Sequence, residues 1–508
     1  MNSPRQLFKQ IVLIILTLIF ICCFYPLGLF LFVYRSFLEF LAKKSDSRLG
    51  PALKGLESAF AAKTPYSNPS AVIVARIYLD SPVKTSDLLP ILNERIIHAR
   101  DSQGNLYFPY LRKRVVNKFG YQFWYSVDNF QVSDHVRFLN ESCPEQVLKE
   151  SDMMDLVARL SKLPFDRSRS PWEIISVPNY HRDNDTTLKS ALILRFHHCL
   201  GDGHSVINFM LRLGKKPQPP QPRISASVSN EGGILEKIRI LVEGPYETIN
   251  FMLSTNVDEN SFVRNAAKEW RNSLVPGQTS RIPIPVLKKI VQNMGKEYNV
   301  SLTVLMMTLF LQASATLLRK KKVFDGDGNS SPKFVVATPW PLPNHPDGLS
   351  NHFTVVHMNV SVDFNDVRQT ALNVSREFER IRSSILPQFS SLMLEIMMSL
   401  PTQLVIQCNT IFRSTAIFSN FPGPLKAFDI CGSNVLDLFG GTSPGAPCAV
   451  ASLVQSYNGT ARYIMGGDEC NMIKEDAEMM VGIFEQILKE LGQLCDSQHD
   501  AKLTSIAE

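Results

Sequence analysis

The run of residues 191–210 constrains the fold of this 508-residue chain more than any other segment, because three local patterns follow one another in it. It reads Ala-Leu-Ile-Leu-Arg-Phe-His-His-Cys-Leu-Gly-Asp-Gly-His-Ser-Val-Ile-Asn-Phe-Met. The sequence predicts a buried strand, then a tight turn, then an amphipathic helix. Successive strand side chains point to opposite faces, so His197 and His198 cannot both enter one pocket. One of them can therefore act as a base while the other is held elsewhere.

The turn itself has the composition of a catalytic loop. A neutral imidazole, with an ordinary pKa near ~6.5, is the usual group for taking a proton from a hydroxyl at neutral pH. Asp202 suits a structural role, pairing with a cation or with backbone amides to hold the turn. Gly203 removes a Cβ where a substrate would approach.

Two other chemistries of this turn are disfavoured by its geometry. A metal site made from His197, His198, Asp202 and His204 would need neighbouring strand histidines to converge, and no cysteine pair completes a ligand shell. Cys199 as a nucleophile would need its thiol beside the preceding imidazole, yet consecutive side chains point apart. We therefore predict no metal and no acyl-cysteine.

Four blocks in order carry a resemblance to a known family. His-His-x-x-x-Asp-Gly at 197–203 resembles the signature of coenzyme A-dependent acyltransferases with a chloramphenicol acetyltransferase-like fold. Pro-Phe-Asp-Arg-Ser-Arg-Ser-Pro-Trp-Glu at 164–173, Ser-Asn-Phe-Pro-Gly-Pro at 419–424 and Ser-Tyr-Asn-Gly at 456–459 are similar to blocks of one branch, the wax ester synthase/diacylglycerol acyltransferases. The resemblance runs from about residue 50 to about residue 494. It implies an α/β (α+β) fold of two lobes with an active-site tunnel between them.

The resemblance also implies roles for residues of the first half of the chain. It assigns the general base to His198 and a secondary or structural part to His197. It places four residues in an ordered loop that supports the site, where an arginine could form a buried pair with Asp202. These residues are Asp166, Arg167, Arg169 and Trp172.

In the second half, amide side chains are candidates for stabilising the tetrahedral oxyanion. They are Asn351 and Asn420, with Ser419 beside the latter as a further substrate candidate. One departure is clear: family members carry Asn-Asp near the start of the first helix of the second lobe, where this chain has Ser301-Leu302. Phe165 and the proline at position 171 also replace residues that are commonly leucine.

Residues 11–34 are almost uninterrupted apolar sequence and predict a transmembrane anchor. As a helix they would reach about 36 Å, enough for a hydrocarbon core of ~30 Å. Basic residues are more numerous after the segment than before it, which favours a single pass with the catalytic body in the cytosol, at the endoplasmic reticulum. Pro26 and Gly28 leave a kinked or re-entrant hairpin open. Scattered Asn-x-Ser/Thr triplets would instead be glycosylation acceptors in a lumenal body.

The net charge and the cysteine content limit which binding partners and compartments the sequence favours. The net charge of +6 fits an anionic membrane face or the phosphates of coenzyme A, and is too weak to argue for nucleic acid. The nine cysteines have no paired spacing, which favours a reducing compartment. We expect acyl-CoA, a lipophilic alcohol and membrane lipid as partners, and no cofactor. The oligomeric state is left open.

Local patterns predict the order of elements and the domains. Strands are predicted at 71–78, 123–127, 172–177, 190–196, 333–338, 353–362, 414–418, 447–456 and 460–465. Helices are predicted at 88–98, 145–162, 284–299, 301–319, 365–386 and 474–493. The domains follow as a tail (1–10), the anchor (11–34), a first lobe (50–213), a Pro-rich linker and crossover (214–280), a second lobe (281–495) and a tail (496–508).

Three functions remain in view. The favoured one is an O-acyltransferase that makes wax ester from a long-chain alcohol, triacylglycerol from diacylglycerol, or both. Amide-forming condensation domains share the His-His-x-x-x-Asp-Gly core, but they usually lie in multidomain chains with carrier segments, which this sequence lacks. The third is a lipid-binding scaffold that has lost its catalytic activity. The departure from the family pattern at Ser301-Leu302 motivates it, and the intact His198, Asp202 and Gly203 argue against it.

Overall fold

The computed structural model describes residues 4–139, 147–181, 189–214, 233–255, 273–294, 300–321, 331–408, 414–443 and 448–507. Two large β-sheets, each covered by helices, form its two lobes. Each lobe has its own apolar core. This confirms the two-lobed α/β architecture. The Pro-rich run at 215–223 lies outside the described residues.

The first sheet has six strands. The strand Lys189–His197, which we call the histidine strand, is near its centre. Every neighbouring pair is antiparallel except the last. Their spatial order is Asp429–Ile430, Ser433–Thr442, Val72–Leu79, Lys189–His197, Trp172–Tyr180 and Val136–Phe138. The strand Val72–Leu79 is buried along its whole length, as its run of β-branched and aliphatic residues requires for a central strand covered on both faces.

The second sheet has seven strands and both parallel and antiparallel pairs. The spatial order is Phe353–Ser361, Lys333–Pro341, Ser414–Phe421, Cys448–Tyr457, Thr460–Gly467 and Val275–Gln278, with Ile282–Pro283 also paired to the fifth strand. A small third sheet contains Leu49–Ala52, Tyr121–Ser126 and Lys113–Lys118. The predicted strands all lie within these sheets, with ends shifted by a few residues.

One strand crosses between the two halves of the chain. Ser433–Thr442 comes from the second half, yet it pairs antiparallel with Val72–Leu79 in the first sheet. Asp437 on this strand is buried and accepts ion-pair contacts from Arg281 and Arg462, each at 2.9 Å. Residues 50–213 and 281–495 therefore do not build separate sheets.

The helices connect and cover these sheets. They are Pro4–Ser45, Gly55–Ala61, Thr85–Leu92 continuing into Asn93–Ile97, Glu150–Lys162, Gly203–Arg212, Ile234–Ser254, Ile284–Asn293, Leu302–Lys320, Val367–Ser383, Leu386–Met397, Thr402–Cys408 and Lys474–Ala507, with 3-10 turns at Pro109–Arg112 and Val132–His135. The single long helix predicted at 365–386 is wrong at its end. It stops at Ser383, and a new helix starts at Leu386 because Pro387 suits a first turn and cannot continue a helix.

The N-terminal apolar segment is one continuous helix, Pro4–Ser45, with a π-helical turn at Phe20–Phe24 just before Pro26. The re-entrant hairpin is therefore wrong, whereas a local irregularity at the proline is present. By length and composition the helix could cross a membrane. It does not stand apart from the body, because Arg35 donates hydrogen bonds to the carbonyls of Met398 and Leu53.

The crossing strand generates a stability prediction. Asp437→Ala removes the carboxylate from the buried guanidinium of Arg462 and should lower the free energy of unfolding by about 3–5 kcal/mol, because an uncompensated charge stays buried. The measurement is thermal or denaturant unfolding of the purified protein. Asp128→Ala is the matched control, since Asp128 pairs with Arg48 at the surface and should cost at most about 1 kcal/mol. Equal stability of the two variants would contradict the role of Asp437 in joining the two halves of the chain.

Candidate active site

A cavity of about 2020 Å³ lies between the two lobes. Its lining includes Ile73 and His198 from the first lobe and Val335, Ile417 and Phe418 from the second. Most of the other lining residues are also apolar. We call this space the central cavity.

His198 lies at the end of the histidine strand and reaches the central cavity. Its backbone N–H donates to the carbonyl of Ala71 at 3.0 Å, which continues the strand pairing by one residue. Its ring stacks on Phe60, with ring centres 4.1 Å apart, and lies 6.1 Å from the ring of Phe353. The imidazole thus lies against a pair of neighbouring aromatic side chains, with part of its surface facing the cavity.

Asn351 makes two hydrogen bonds to His198, one to its backbone and one to its ring. Its Nδ2 donates to the backbone carbonyl of His198 at 2.7 Å, so its Oδ1 is the atom that faces the imidazole. Nδ1 of His198 lies 3.0 Å from that oxygen and must carry the proton in order to donate to it. Nε2 is then the nitrogen with the free lone pair, as a general base requires.

Burial lowers the pKa of His198 below its ordinary value. The charge of Asp202, the backbone and the hydrogen bond that His198 donates to Asn351 oppose that shift of the pKa. The direction keeps the ring neutral, and therefore basic, at physiological pH.

His197 and Cys199 point away from the central cavity, as strand alternation predicts. His197 is fully buried, its Nδ1 accepts the backbone N–H of Cys199 at 3.3 Å, and burial lowers its pKa to about 3. The thiol of Cys199 is also fully buried, and burial raises its pKa well above the ordinary value. A buried neutral thiol is a poor nucleophile, so the geometry argues against Cys199 as an acyl carrier.

Asp202 ties the turn to the second lobe. Its Oδ1 accepts the backbone N–H of Ser205 at 2.9 Å and caps the helix Gly203–Arg212, while Oδ2 accepts the N–H of His352 at 3.2 Å. Nε2 of His345 lies 3.2 Å from Oδ2 in a pair whose side chains are almost completely buried. A histidine of the second lobe thus lies beside Asp202, whereas Arg169 of the 164–173 block pairs with Asp134 and Asp166.

Further contacts join the turn at residues 201–205 to the segment around Ser350. The hydroxyl of Ser205 donates to the carbonyl of Ser350 at 2.8 Å and accepts the N–H of Ser350 at 3.1 Å. The N–H of Asp202 donates to that same carbonyl at 3.0 Å. A Cβ on Gly201 would meet the Ser350 nitrogen at 3.1 Å, so glycine permits the close approach. We call residues 343–352 the docking loop.

The 164–173 block supports the first lobe at a distance from the cavity. Asp166 accepts from the N–H and hydroxyl of Ser168, and Arg169 is a half-exposed residue that pairs with Asp134. The carbonyl of Arg167 accepts from Arg114 at 3.3 Å. Trp172 is buried, and its Nε1 donates to the carbonyl of Leu111 at 3.0 Å. None of the four block residues Asp166, Arg167, Arg169 and Trp172 is among the described residues that line the central cavity.

The amide candidates of the second half separate into two roles. Asn351 is a positioning residue for His198, and its part at the oxyanion stays a prediction. Ser419 and Asn420 do line the cavity, and Nδ2 of Asn420 donates to the hydroxyl of Thr303 at 3.0 Å.

The sequence departure at Ser301-Leu302 has a structural explanation. Ser301 caps the helix Leu302–Lys320 by accepting the N–H of Val304 at 3.2 Å. Ser301, Leu302 and Thr303 all line the central cavity. Ser301 thus provides a helix cap, and Thr303, just after the departing pair, provides a polar contact to Asn420.

His345, Phe60 and Thr303 were missed by the sequence analysis. His345 is separated from Asp202 by 143 residues, and no local pattern marks the contact. Phe60 lies in a short helix without any motif of its own. The Pro-Asn-His-Pro run around His345 predicts a loop and nothing more.

Comparisons with known proteins identify the family to which the sequence is similar. The family model described as the wax ester synthase/diacylglycerol acyltransferase catalytic domain matches residues 78–286, and the model of the WS/DGAT C-terminal domain matches residues 349–492. Wax ester synthase/diacylglycerol acyltransferase 1 from Arabidopsis thaliana is 24% identical over 172 residues, which are 32% of this chain and 32% of that relative. The alignment thus spans about a third of the relative's length.

Solved structures share the fold. The wax ester synthase/diacylglycerol acyltransferase from Marinobacter aquaeolei VT8 has a TM-score of 0.54 at 14% identity, covering 88% of this chain and 100% of that one. The starter condensation domain of rhizomide synthetase, solved with C8-CoA, has a TM-score of 0.54 at 12% identity, covering 89% and 97%. At these identities the likeness concerns the fold alone.

The contacts of Asp202 generate the second prediction. Asp202→Ala removes a helix cap and the buried partner of His345, and should cost about 3–5 kcal/mol of unfolding free energy. Asp202→Asn should cost less, because asparagine is as good a helix cap. Asp166→Ala is the control: its half-exposed carboxylate also accepts a backbone N–H, and its loss should cost about 1 kcal/mol or less. Thermal unfolding measures all three, and an unchanged melting temperature for Asp202→Ala would refute the docking role.

Proposed function

The chain belongs to the wax ester synthase/diacylglycerol acyltransferase family, and we propose that it transfers a fatty acyl group from acyl-CoA to a lipophilic alcohol. The observation that carries the proposal is the placement of His198. Its Nδ1 is held by Asn351, and its ring reaches a large apolar cavity between the lobes. This is the arrangement that deprotonation of a hydroxyl next to a long acyl chain requires.

The reaction follows from the free lone pair on Nε2. The hydroxyl proton of the alcohol moves to Nε2 of His198, and the alcohol oxygen bonds to the thioester carbonyl carbon. The tetrahedral intermediate then breaks its carbon–sulfur bond, and the proton on Nε2 passes to the departing thiolate. The products are an ester and free coenzyme A, and no acyl-enzyme forms.

The oxyanion of the intermediate needs donors inside the cavity. Asn420 and Ser419 line the cavity at the end of a second-sheet strand. Nδ2 of Asn420 uses one hydrogen on Thr303 and has a second to donate. We propose Asn420 as the oxyanion donor, with Ser419 beside it.

The size and lining of the cavity support two long-chain substrates. Pockets for drug-sized ligands are typically about 300–1,000 Å³, and the central cavity exceeds that range. Its apolar end includes Met393, Met397, Leu400 and Ile406. A long-chain alcohol would give a wax ester, and diacylglycerol would give triacylglycerol.

The acyl donor is proposed to be acyl-CoA, with no further cofactor. The starter condensation domain that shares this fold was solved with C8-CoA, which supports an acyl-CoA as the donor here. Among the described residues, no group of three His, Cys, Asp or Glu could hold a metal ion. The steps above use the side chains of this chain and the two substrates only.

We further propose that the protein acts at a membrane. The apolar helix Pro4–Ser45 supports attachment to a bilayer, where long-chain alcohols and diacylglycerol partition. Supply of acyl-CoA from the cytosol, together with the basic residues after the segment, favours a cytosolic body at the endoplasmic reticulum. The single pass of residues 11–34 stays a prediction.

Substitution of the base tests the function. His198→Ala should reduce ester formation about 10²–10⁴-fold, because general-base catalysis contributes that much. The assay uses purified protein in detergent, labelled palmitoyl-CoA, and either hexadecanol or diacylglycerol. Cys199→Ser, a change at the neighbouring position, should keep substantial activity and form no trapped acyl-protein. Near-normal turnover by a folded His198→Ala protein would refute the mechanism.

The lowered pKa of His198 predicts the pH dependence. The reactive ring is neutral above its pKa, so kcat/KM should be retained as the pH falls through the ordinary histidine value of about 6.5 and be lost only below it. Initial rates with palmitoyl-CoA and hexadecanol across the acid range measure this limb. An acid limb centred above about 6.5 would contradict a base whose neutral form is favoured by burial.

A further inference from the structure

Two apolar helices lie side by side on the surface. The helix Ile234–Ser254 runs antiparallel to the N-terminal helix, because Lys9 donates to the hydroxyl of Ser254 at 3.0 Å and the hydroxyl of Tyr25 donates to the carbonyl of Leu241 at 2.8 Å. The N-terminal helix is therefore packed along the body of the protein.

The helix Ile234–Ser254 carries an apolar stripe that the protein leaves exposed. At 3.6 residues per turn its exposed apolar side chains fall on one side of the helix, and they are Ile234, Leu235, Ile238, Leu241, Val242, Tyr246, Met252 and Leu253. Glu236, Arg239, Glu243 and Glu247 fall on another side, and Arg239 pairs with Glu243 at 2.6 Å. The helix thus has the separated faces of a helix that lies at a membrane interface.

The same two helices form a wall of the central cavity. Phe20 and Phe24 of the N-terminal helix and Pro245 and Ile249 of its neighbour line it. Met252 both lines the cavity and belongs to the exposed apolar set of the helix, so the cavity wall and the stripe meet at this residue.

Close packing holds this wall on the helix Leu386–Met397. A Cβ on Gly244 would lie 2.3 Å from the ring of Phe389, and a Cβ on Gly28 would lie 2.7 Å from Ile396. The ring of Phe389 also lies 6.3 Å from that of Phe20. One phenylalanine therefore contacts both helices at the place where they meet.

We propose that a lipid bilayer covers this two-helix face and that the alcohol enters the central cavity from the bilayer at the Met252 side of the wall. The inference rests on the proposed function, because it names the route of the acceptor. The N-terminal helix is apolar around most of its circumference, as a helix in lipid is, and the stripe continues its exposed face.

The experiment compares two acceptors in the full-length protein. Palmitoyl-CoA is the donor, and the acceptor is either hexadecanol in phosphatidylcholine vesicles or water-soluble hexanol. The variant Leu235→Glu/Ile238→Glu places charges on the stripe. It should lose at least about tenfold in activity on vesicle hexadecanol, because two apolar side chains no longer partition into lipid, and keep its activity on hexanol.

Leu425→Glu is the matched control. Leu425 is 73% exposed and Leu235 is 80% exposed, but Leu425 lies outside the two helices, so this variant should keep both activities. A variant that keeps vesicle activity, or that loses both activities equally, would overturn the bilayer route. So would a change of oligomeric state in detergent, which would mean that a second copy covers the stripe. Failure of the wild-type protein on both acceptors would refute the proposed function instead.

Discussion

The active site depends on the packing of the histidine turn, residues 197–203, against the docking loop of the other lobe. Asn351 is hydrogen-bonded to both the backbone and the ring of His198. Asp202 accepts the backbone N–H groups of Ser205 and His352 and contacts the His345 ring. These groups are buried or half-buried, so each lost partner would leave a polar group without compensation. His198, the proposed base, has this orientation and tautomer only while the two lobes remain docked.

The crossing strand explains how that docking is maintained. Ser433–Thr442 adds a strand from the second half of the chain to the first sheet, and Asp437 on it pairs with arginines outside that sheet. The lobes are thus connected through backbone pairing as well as through side chains. The packing of the two lobes around the cavity also buries His198, and this burial lowers its pKa.

Local patterns in the sequence predicted most of the elements, whereas the assignment of the base to His198 came from the family resemblance and stays a proposal. Alternation in the strand Lys189–His197 separated His197 from His198, and the cap at Ser301 was predicted from its residue type. The contacts made across the lobes were not predictable in this way. Asn351 was expected at the oxyanion because an amide suits both roles, and only the fold shows that it faces Nδ1 of His198. His345, which lies beside Asp202, is distant from it in sequence and has no motif.

The central claim is that Nε2 of His198 faces the reacting hydroxyl while Nδ1 is held by Asn351. A structure of the full-length protein with a non-reactive thioether analogue of palmitoyl-CoA and with hexadecanol tests it most directly. The account predicts the hydroxyl oxygen within hydrogen-bond distance of Nε2, at about 2.6–3.2 Å, with the Nδ1–Asn351 contact intact. An alcohol bound away from His198, or a ring turned so that Nδ1 faces the alcohol, would contradict it.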